Sequence, residues 1–506
     1  MDIYRENFFD ILTRHAAWKG NKTAIYYCGE EITYSKLLEY INRVGNILKN
    51  LGIRQKDRVL IALPDCPDTI YAFFGAIKIG AIPVLLSPDL KRETCEFILY
   101  DCEASALITL KSNEISEIKS SSLRFKLYID DNHYSDLLTQ SSPDSETSPE
   151  KDINFIMYTS GSTGSPKGIA HRLSDITFIA ETYGRQVLNM TDRDITFSAS
   201  KLFFAYGFGN SLAFPLTIGA STVLFPRKPV PLEVIKVISE YKPTLFFGVP
   251  TLYNMMIKAM GEKITFPSVR LCISAGEFLP QGIWHEWKEM TGLEIIDGLG
   301  TTETMHIVIS NRPGNIRPGS SGFPVPGYEV KIVGDDGRFV PPGTHGHLLI
   351  KGESNAPFYW NRPYKTKETM LPEGWIKTGD IYIEKNGWYT YQGRSDDMFK
   401  VDGNWVSPVQ VEQVIKEHPS VMECGVTWRK LEELVKPVAC VVLREGVKKD
   451  SSVSGDIRNF ILKKLPEYMC PVQIIFTEEI PKTDTGKIQR FKLLTGISIN
   501  KEYLKE

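Results

Sequence analysis

The chain has 506 residues, 42% hydrophobic, 24% charged and 11% aromatic, with 59 Lys and Arg against 61 Asp and Glu for a formal net charge of −2. That length and composition suit a globular protein of several domains, with a core that needs no metal or disulfide staple. A near-neutral chain has no general field for nucleic acid or an anionic membrane, so an anionic ligand must be held by local charge.

The N-terminal MDIYRENFFDILTRH is charged within its first residues and does not read as a secretory signal. Tyr34 to Leu51 places Leu37, Leu38, Ile41, Val44, Ile47 and Leu48 at helical spacing. Asp57 to Leu63, Ala106 to Leu110 and Phe125 to Ile129 are short apolar runs suited to buried strands. Ile70 to Leu86 is interrupted by Gly75, Lys78, Gly80 and Pro83, and reads as a helix and a strand, not a membrane span. The alternation predicts α/β layers with parallel strands. The eight cysteines form no CxxC pair, which predicts buried free thiols and a cytoplasmic protein.

The polar stretch Gln140 to Asp152 predicts a solvated loop leading into a strand from Ile153 to Tyr158. Next comes YTSGSTGSPKG, Tyr158 to Gly168. Its glycines allow close backbone approach. Its hydroxyls and Lys167 are suited to phosphate oxygens. The order Pro166-Lys167-Gly168 excludes a Walker A loop. Further strands are predicted at Leu245 to Val249, Leu271 to Ser274 and Glu294 to Asp297, with a helix from Thr251 to Met260. From Val330 to Tyr391 the pattern changes to short alternating strands, as in an antiparallel or barrel-like sheet. After Gly393, helices at Val409 to Glu417 and Gly455 to Lys464 alternate with strands at Pro437 to Leu443 and Gln473 to Phe476, as in a small α+β domain.

The glycine-rich string resembles the phosphate loop of the adenylate-forming superfamily, which comprises acyl- and aryl-CoA ligases, luciferases and peptide-synthetase adenylation domains. Four further motifs follow in the family's order: LGTTE at Leu299 to Glu303, TGD at Thr378 to Asp380, GRSDDMFKVDG at Gly393 to Gly403, and PKTDTGKIQR at Pro481 to Arg490. The resemblance implies an α/β fold with a large N-terminal domain over 1–394, including the barrel-like subdomain, and a mobile C-terminal lid over 395–506. It implies ATP and Mg²⁺ as cofactors. Thr159, Ser160, Gly161, Ser162, Thr163, Gly164 and Lys167 would hold phosphate. Glu303 would hold the metal, assisted by Thr302. Asp380 would accept from the ribose hydroxyls, Arg394 would contact the nucleotide, Asp396 would be the hinge, and Lys487 the catalytic lysine. Gly403 would line the tunnel of the acceptor thiol.

KLFFAYGFGN, Lys201 to Asn210, resembles benzoate- and hydroxybenzoate-CoA ligases. That likeness implies an acid pocket of Ala205, Tyr206, Phe214, Ala275, Gly300, His306 and Ile307. Small residues would leave a flat slot, Tyr206 and Phe214 would bracket an aromatic ring, and His306 would hydrogen-bond the carboxylate or a ring substituent. No acid lies between Lys201 and Asn210 to hold an α-ammonium, which argues against amino acids. Leu299 replaces the family's usual aromatic residue and Gln410 its usual Glu. Trp428 to Lys436 diverges from the usual loop. Coenzyme A and a carrier protein's phosphopantetheine both remain open as acceptor, as do monomer and homodimer. The chain ends soon after Lys487, which implies a thiol arriving in trans.

Overall fold

The computed structural model describes residues 6–145, 149, 152–159, 166–431, 434–482 and 488–495. Contacts divide the chain into two units, Met1–Val330 with Leu349–Thr378, and Lys331–Leu348 with Gly379–Glu506.

The first unit is built on two sheets. One has six strands in the order Phe125–Tyr128, Ala106–Thr109, Arg58–Ala62, Ile82–Leu86, Phe155–Thr159 and Lys167–His171. The first five run parallel and the last is antiparallel to its neighbour. The other has nine strands, with a parallel centre of Ile295–Gly300, Leu271–Ser274, Leu245–Gly248, Ile195–Ser198, Ser221–Leu224 and Thr23–Tyr27. Antiparallel strands flank it, Ile307–Ser310 with Phe323–Pro324 on one side and Glu30–Thr33 on the other. The parallel strands are near-continuous apolar runs, as strands covered on both faces must be.

Helices Tyr34–Asn50 and Pro67–Lys78 cross where Gly45 meets Gly75. A Cβ on Gly75 would stand 2.8 Å from the Gly45 nitrogen, so only glycine lets these backbones meet. Phe8 and Phe74 stack beside this crossing at 4.4 Å and are fully buried. Each such ring contributes about 1.5–3 kcal/mol on burial. Proline occupies the first turn of Pro67–Lys78, Pro231–Tyr241 and Pro250–Met260, where its missing N–H costs nothing.

Strands Glu329–Val333, Gly346–Lys351, Trp375–Lys385 and Trp388–Arg394 follow one another in a four-stranded sheet. In the second unit, the antiparallel strands Val421–Leu431 and Leu434–Leu443 and the parallel strand Gln473–Phe476 pack on helices Pro408–Lys416 and Ser451–Leu462. Val411, Ile415, Val426, Val441, Ile457 and Ile461 fill this core. Within Trp428 to Lys436, the stretch that diverges from the family's usual loop, residues 428–431 and 434–436 are ladder, with Trp428 opposite Pro437 and Leu431 opposite Leu434. Every cysteine except Cys28 is buried and none is in a disulfide. No helix among the described residues is long and apolar enough to cross a membrane.

Candidate active site

The phosphate motif is a hairpin. Strands Phe155–Thr159 and Lys167–His171 pair in register, Thr159 opposite Lys167 and Tyr158 opposite Gly168. The sheet therefore fixes both ends of the loop. Ser160, Gly161, Ser162, Thr163 and Gly164 lie outside the described residues. A Cβ on Gly168 would stand 2.9 Å from the Tyr158 ring and 3.1 Å from Trp360 Cβ, so glycine serves packing here. The Tyr158 hydroxyl donates to Asp101 Oδ2 at 2.6 Å, and Arg362 pairs with the same carboxylate at 2.8 Å.

Strand Ile295–Gly300 delivers the next motif. A short 3₁₀ turn, Thr302–Thr304, is capped reciprocally, Thr304 N donating to Thr301 Oγ1 at 3.3 Å and Thr301 N to Thr304 Oγ1 at 3.1 Å. The chain then reverses at Met305, φ +71°. This turn presents Thr302 and Glu303. Glu303 Oε1 accepts from the Tyr359 hydroxyl at 2.6 Å, and Ala356 N donates to the Glu303 carbonyl at 2.8 Å. The Tyr359 backbone is bridged to Ile169, just beyond Lys167. Tyr359 thus links carboxylate and hairpin. Sequence reading passed over it, although it sits in the aromatic run FYWNRP.

Among the described residues no group of three or more His, Cys, Asp or Glu side chains could hold a metal by itself. A single oriented carboxylate fits an ion such as Mg²⁺, which takes one or two protein carboxylates and leaves its other positions to water and phosphate oxygens.

Of the residues expected to form an acid pocket, Tyr206, Phe214 and Gly300 lie against His306. Helix Ala205–Phe208 opens into a π-helical turn, Gly209–Ala213, and resumes as Phe214–Ile218. Such widened turns recur at functional sites. His306 Nε2 lies 3.1 Å from Asn210 Oδ1 and 3.3 Å from the Tyr206 carbonyl. Asn210 Nδ2 donates to Ser198 Oγ at 3.3 Å, which fixes Oδ1 as the acceptor. The Nε2 nitrogen therefore carries the proton and Nδ1 is a bare acceptor, buried without a partner among the described residues. Burial holds the imidazole down to about 3, against its ordinary 6.5, so it is neutral. The ring flanked by Tyr206 and Phe214 is that of His306, at 5.6 and 4.6 Å. Ala205, Ala275 and Ile307 are buried. Gly300 has a backbone reason as well as a spatial one, since a Cβ there would stand 2.3 Å from the His306 carbonyl.

Two supports went unnoticed in the sequence. Asp65 Oδ1 accepts from Leu202 N at 3.0 Å, and its carboxyl faces Lys201 Nζ at 4.0 Å. That pins the start of the aromatic stretch, and burial raises Asp65 to about 6. Asp297 sits beside Ser274 in register, and burial raises its carboxyl well above the usual carboxylate range. An acid in the otherwise apolar run IIDG was the available signal.

In the second unit, Asp380 faces Arg394 across a hairpin. The guanidinium Nη1 lies 3.1 Å from Asp380 Oδ1, and the carboxylate is buried. Gly379 has φ +77°, and a Cβ there would stand 2.6 Å from Arg394 Nη2. Asp396 lies in the turn that follows, where Asp397 N and Met398 N both donate to the Arg394 carbonyl at 3.0 Å. Asp402 and Gly403, φ +50° and +81°, make the two-residue turn between Phe399–Val401 and Asn404–Val406. Positive φ at both positions favours Asp-Gly. Among the described residues, chain neighbours aside, no atom lies within 4 Å of where a Gly403 Cβ would be. Lys487 lies outside the described residues.

Residues 12–360 match the family described as AMP-binding enzyme, and 410–487 match the AMP-binding enzyme C-terminal domain. The chain belongs to this family. It is 38% identical over 501 residues to a benzoate–CoA ligase of Thauera aromatica, covering 96% of this chain and 94% of that one. It is 36% identical over 502 residues to a 4-hydroxybenzoate–CoA/benzoate–CoA ligase of Rhodopseudomonas palustris, covering 96% and 93%. Among solved structures, the anthranilate CoA ligase AuaEII in complex with anthranoyl-AMP is 40% identical, with a TM-score of 0.88 and 96% of each chain covered. The mixed α/β fold with a large N-terminal and a small C-terminal domain is that of these enzymes.

Proposed function

We propose that this protein activates an aromatic carboxylic acid of the benzoate or hydroxybenzoate type with ATP and transfers the aryl group to coenzyme A. In the first step a carboxylate oxygen attacks the α-phosphorus, giving aryl-adenylate and pyrophosphate. In the second the CoA sulfur attacks the aryl carbonyl, loses its proton, and AMP leaves. The observation that carries this reading is the segment from Gly300 to Ile307. It holds Glu303 on a capped turn and, three residues on, His306 between Tyr206 and Phe214.

The chemistry brings two anions together, so charge stabilisation dominates. Thr159, Ser160 to Gly164 and Lys167 would cradle the phosphates. Glu303 and Thr302 would hold Mg²⁺, which when bound neutralises phosphate charge. Asp380, oriented by Arg394, would accept from the ribose hydroxyls. His306 is neutral, so it offers the acid no cationic partner; its bare Nδ1 suits a donor on the ring. The carboxylate's charge is then left to Lys487. We place the hinge at Asp396, with 1–394 as body and 395–506 as lid, and Gly403 beside the incoming thiol.

Pyrophosphate exchange over a panel of substituted benzoates, with and without CoA, tests the reading. Aryl-dependent exchange and CoA-dependent thioester are expected. Exchange without thioester would redirect the second step to a carrier protein, and no exchange with any aromatic acid would overturn the substrate assignment.

A further inference from the structure

A polar cluster backs the hairpin of Phe155–Thr159 and Lys167–His171, and neither half-reaction gives it a role. Side chains on a strand alternate between its two faces. Tyr158 and Gly168 therefore share one face of the hairpin, and the next pair, Thr159 and Lys167, share the other. The Tyr158 ring lies over Gly168, where a Cβ would stand 2.9 Å from it. The Tyr158 hydroxyl donates to Asp101 Oδ2 at 2.6 Å. Burial pushes that hydroxyl above its ordinary value, so it keeps its proton.

Asp101 ends helix Arg92–Asp101. A carboxylate at a helix C-terminus opposes the helix dipole, so local preference does not account for it. Its partners do. Oδ1 pairs with Arg362 at 2.8 Å, and the backbone carbonyl accepts from Trp360 Nε1 at 3.1 Å and from Asn361 Nδ2 at 2.7 Å. Three consecutive side chains thus converge on one residue, around a turn where Asn361 has φ +51°. The same run reaches back to the hairpin, since Trp360 N donates to the Gly168 carbonyl at 2.8 Å. Asp101 is 8% exposed, and each of its three oxygens is engaged. One buried residue therefore holds both strands of the hairpin on its rear face, Tyr158 directly and Gly168 through Trp360.

We propose that Asp101 is a positioning residue for ATP, acting through Tyr158 and Trp360 to fix the hairpin from behind so that Thr159 and Lys167 meet phosphate from a set direction. This rests on the reading of that hairpin as the phosphate site. Without the clamp the two strands would still pair, but their mouth would tilt against the helix and the FYWNRP run. Phosphate would then be met at longer and more varied distances. The aromatic acid is assigned to other elements, so the two substrates should respond differently.

Tyr158→Phe, Asp101→Asn and the double variant would be compared by pyrophosphate exchange at varied ATP and varied acid, by thioester formation from a supplied aryl-adenylate, and by thermal melts. Tyr158→Phe removes one hydroxyl and keeps the ring over Gly168, so it decides the matter if Asp101→Asn fails to fold. Each single variant should raise the KM for ATP about tenfold, the scale of a lost hydrogen bond to a charged group. The KM for the acid and the rate of thioester formation should stay within about threefold. The double variant should be no worse than Asp101→Asn, because both substitutions remove one contact. An unchanged KM for ATP, an equal rise in the KM values for ATP and acid, or additive effects in the double variant overturns the proposal. Lys167→Ala run in parallel distinguishes the two readings. If it leaves the KM for ATP unchanged, the phosphate assignment itself fails; if it raises that KM and the clamp variants do not, only the positioning role of Asp101 fails.

Discussion

The Tyr359 hydroxyl stands 2.6 Å from Glu303 Oε1 and donates to it, while the Tyr359 backbone is bridged to the strand that closes the phosphate loop. A single residue thus orients, through its side chain, the carboxylate proposed to hold magnesium and, through its backbone, ties it to the hairpin proposed to hold phosphate. Hydrogen bonds to charged groups are worth about 1.5–3 kcal/mol. Tyr359→Phe should therefore raise the Mg²⁺ concentration for half-maximal pyrophosphate exchange about tenfold or more, with the KM for the acid unmoved. An unchanged Mg²⁺ dependence would reduce Tyr359 to a packing residue.

His306 supplies a pH prediction. Its folded value of about 3 lies below the ordinary 6.5. Between these values the unfolded chain binds a proton that the folded chain refuses, so stability rises with pH across this window. The contribution is complete above about 6.5 and is lost as pH falls toward 3. Melting temperatures of the native chain and of His306→Gln, measured from pH 7 to pH 4, should converge as pH falls. Parallel curves would mean that the imidazole titrates normally.

Gly300 has no room for a side chain, because the His306 carbonyl occupies the Cβ position. Gly300→Ala should force the backbone apart at the very segment that carries Glu303 and His306. A lower melting temperature and a loss of exchange should appear together. Full activity at native stability would show that the bulge between Leu299 and Gly300 can move.

Gly403 allows bulk to be separated from backbone strain. A residue with a Cβ at φ +81° costs on the order of 1 kcal/mol, and Asn tolerates this region better than most. Gly403→Asn should fold and adenylate normally, since no described residue other than its chain neighbours lies within 4 Å of the added Cβ, yet slow thioester formation if the acceptor thiol passes here. Unaltered thioester formation would remove Gly403 from the tunnel.

What could be read in the sequence follows from the range of the forces involved. The parallel strands were legible because burial on both faces demands apolar runs such as LFFGV. The strand that leads into the glycine-rich string was legible for the same reason. The ladder at 428–431 and 434–436 was not, because WRKL and LVK mix charged with apolar residues while their pairing is carried by backbone hydrogen bonds. Tyr359, Asp65 and Asp101 were illegible for a different reason. Each acts on a partner far along the chain, Glu303, Leu202 and Tyr158, and no spacing rule reaches that far. His306 shows a third case: its identity was legible, but its proton was assigned only when Asn210 and Tyr206 were seen to face the same nitrogen.

The register of Thr159 opposite Lys167 has a consequence for engineering. Because the ladder sets the alignment of Thr159 and Lys167 through five paired positions, the scaffold on either side of the glycine-rich string does not depend on the string's own side chains. Substitutions of its hydroxyls should therefore leave the pairing of Phe155–Thr159 with Lys167–His171 in place. Libraries confined to that string would test its proposed role in phosphate binding separately from the proposed acid pocket.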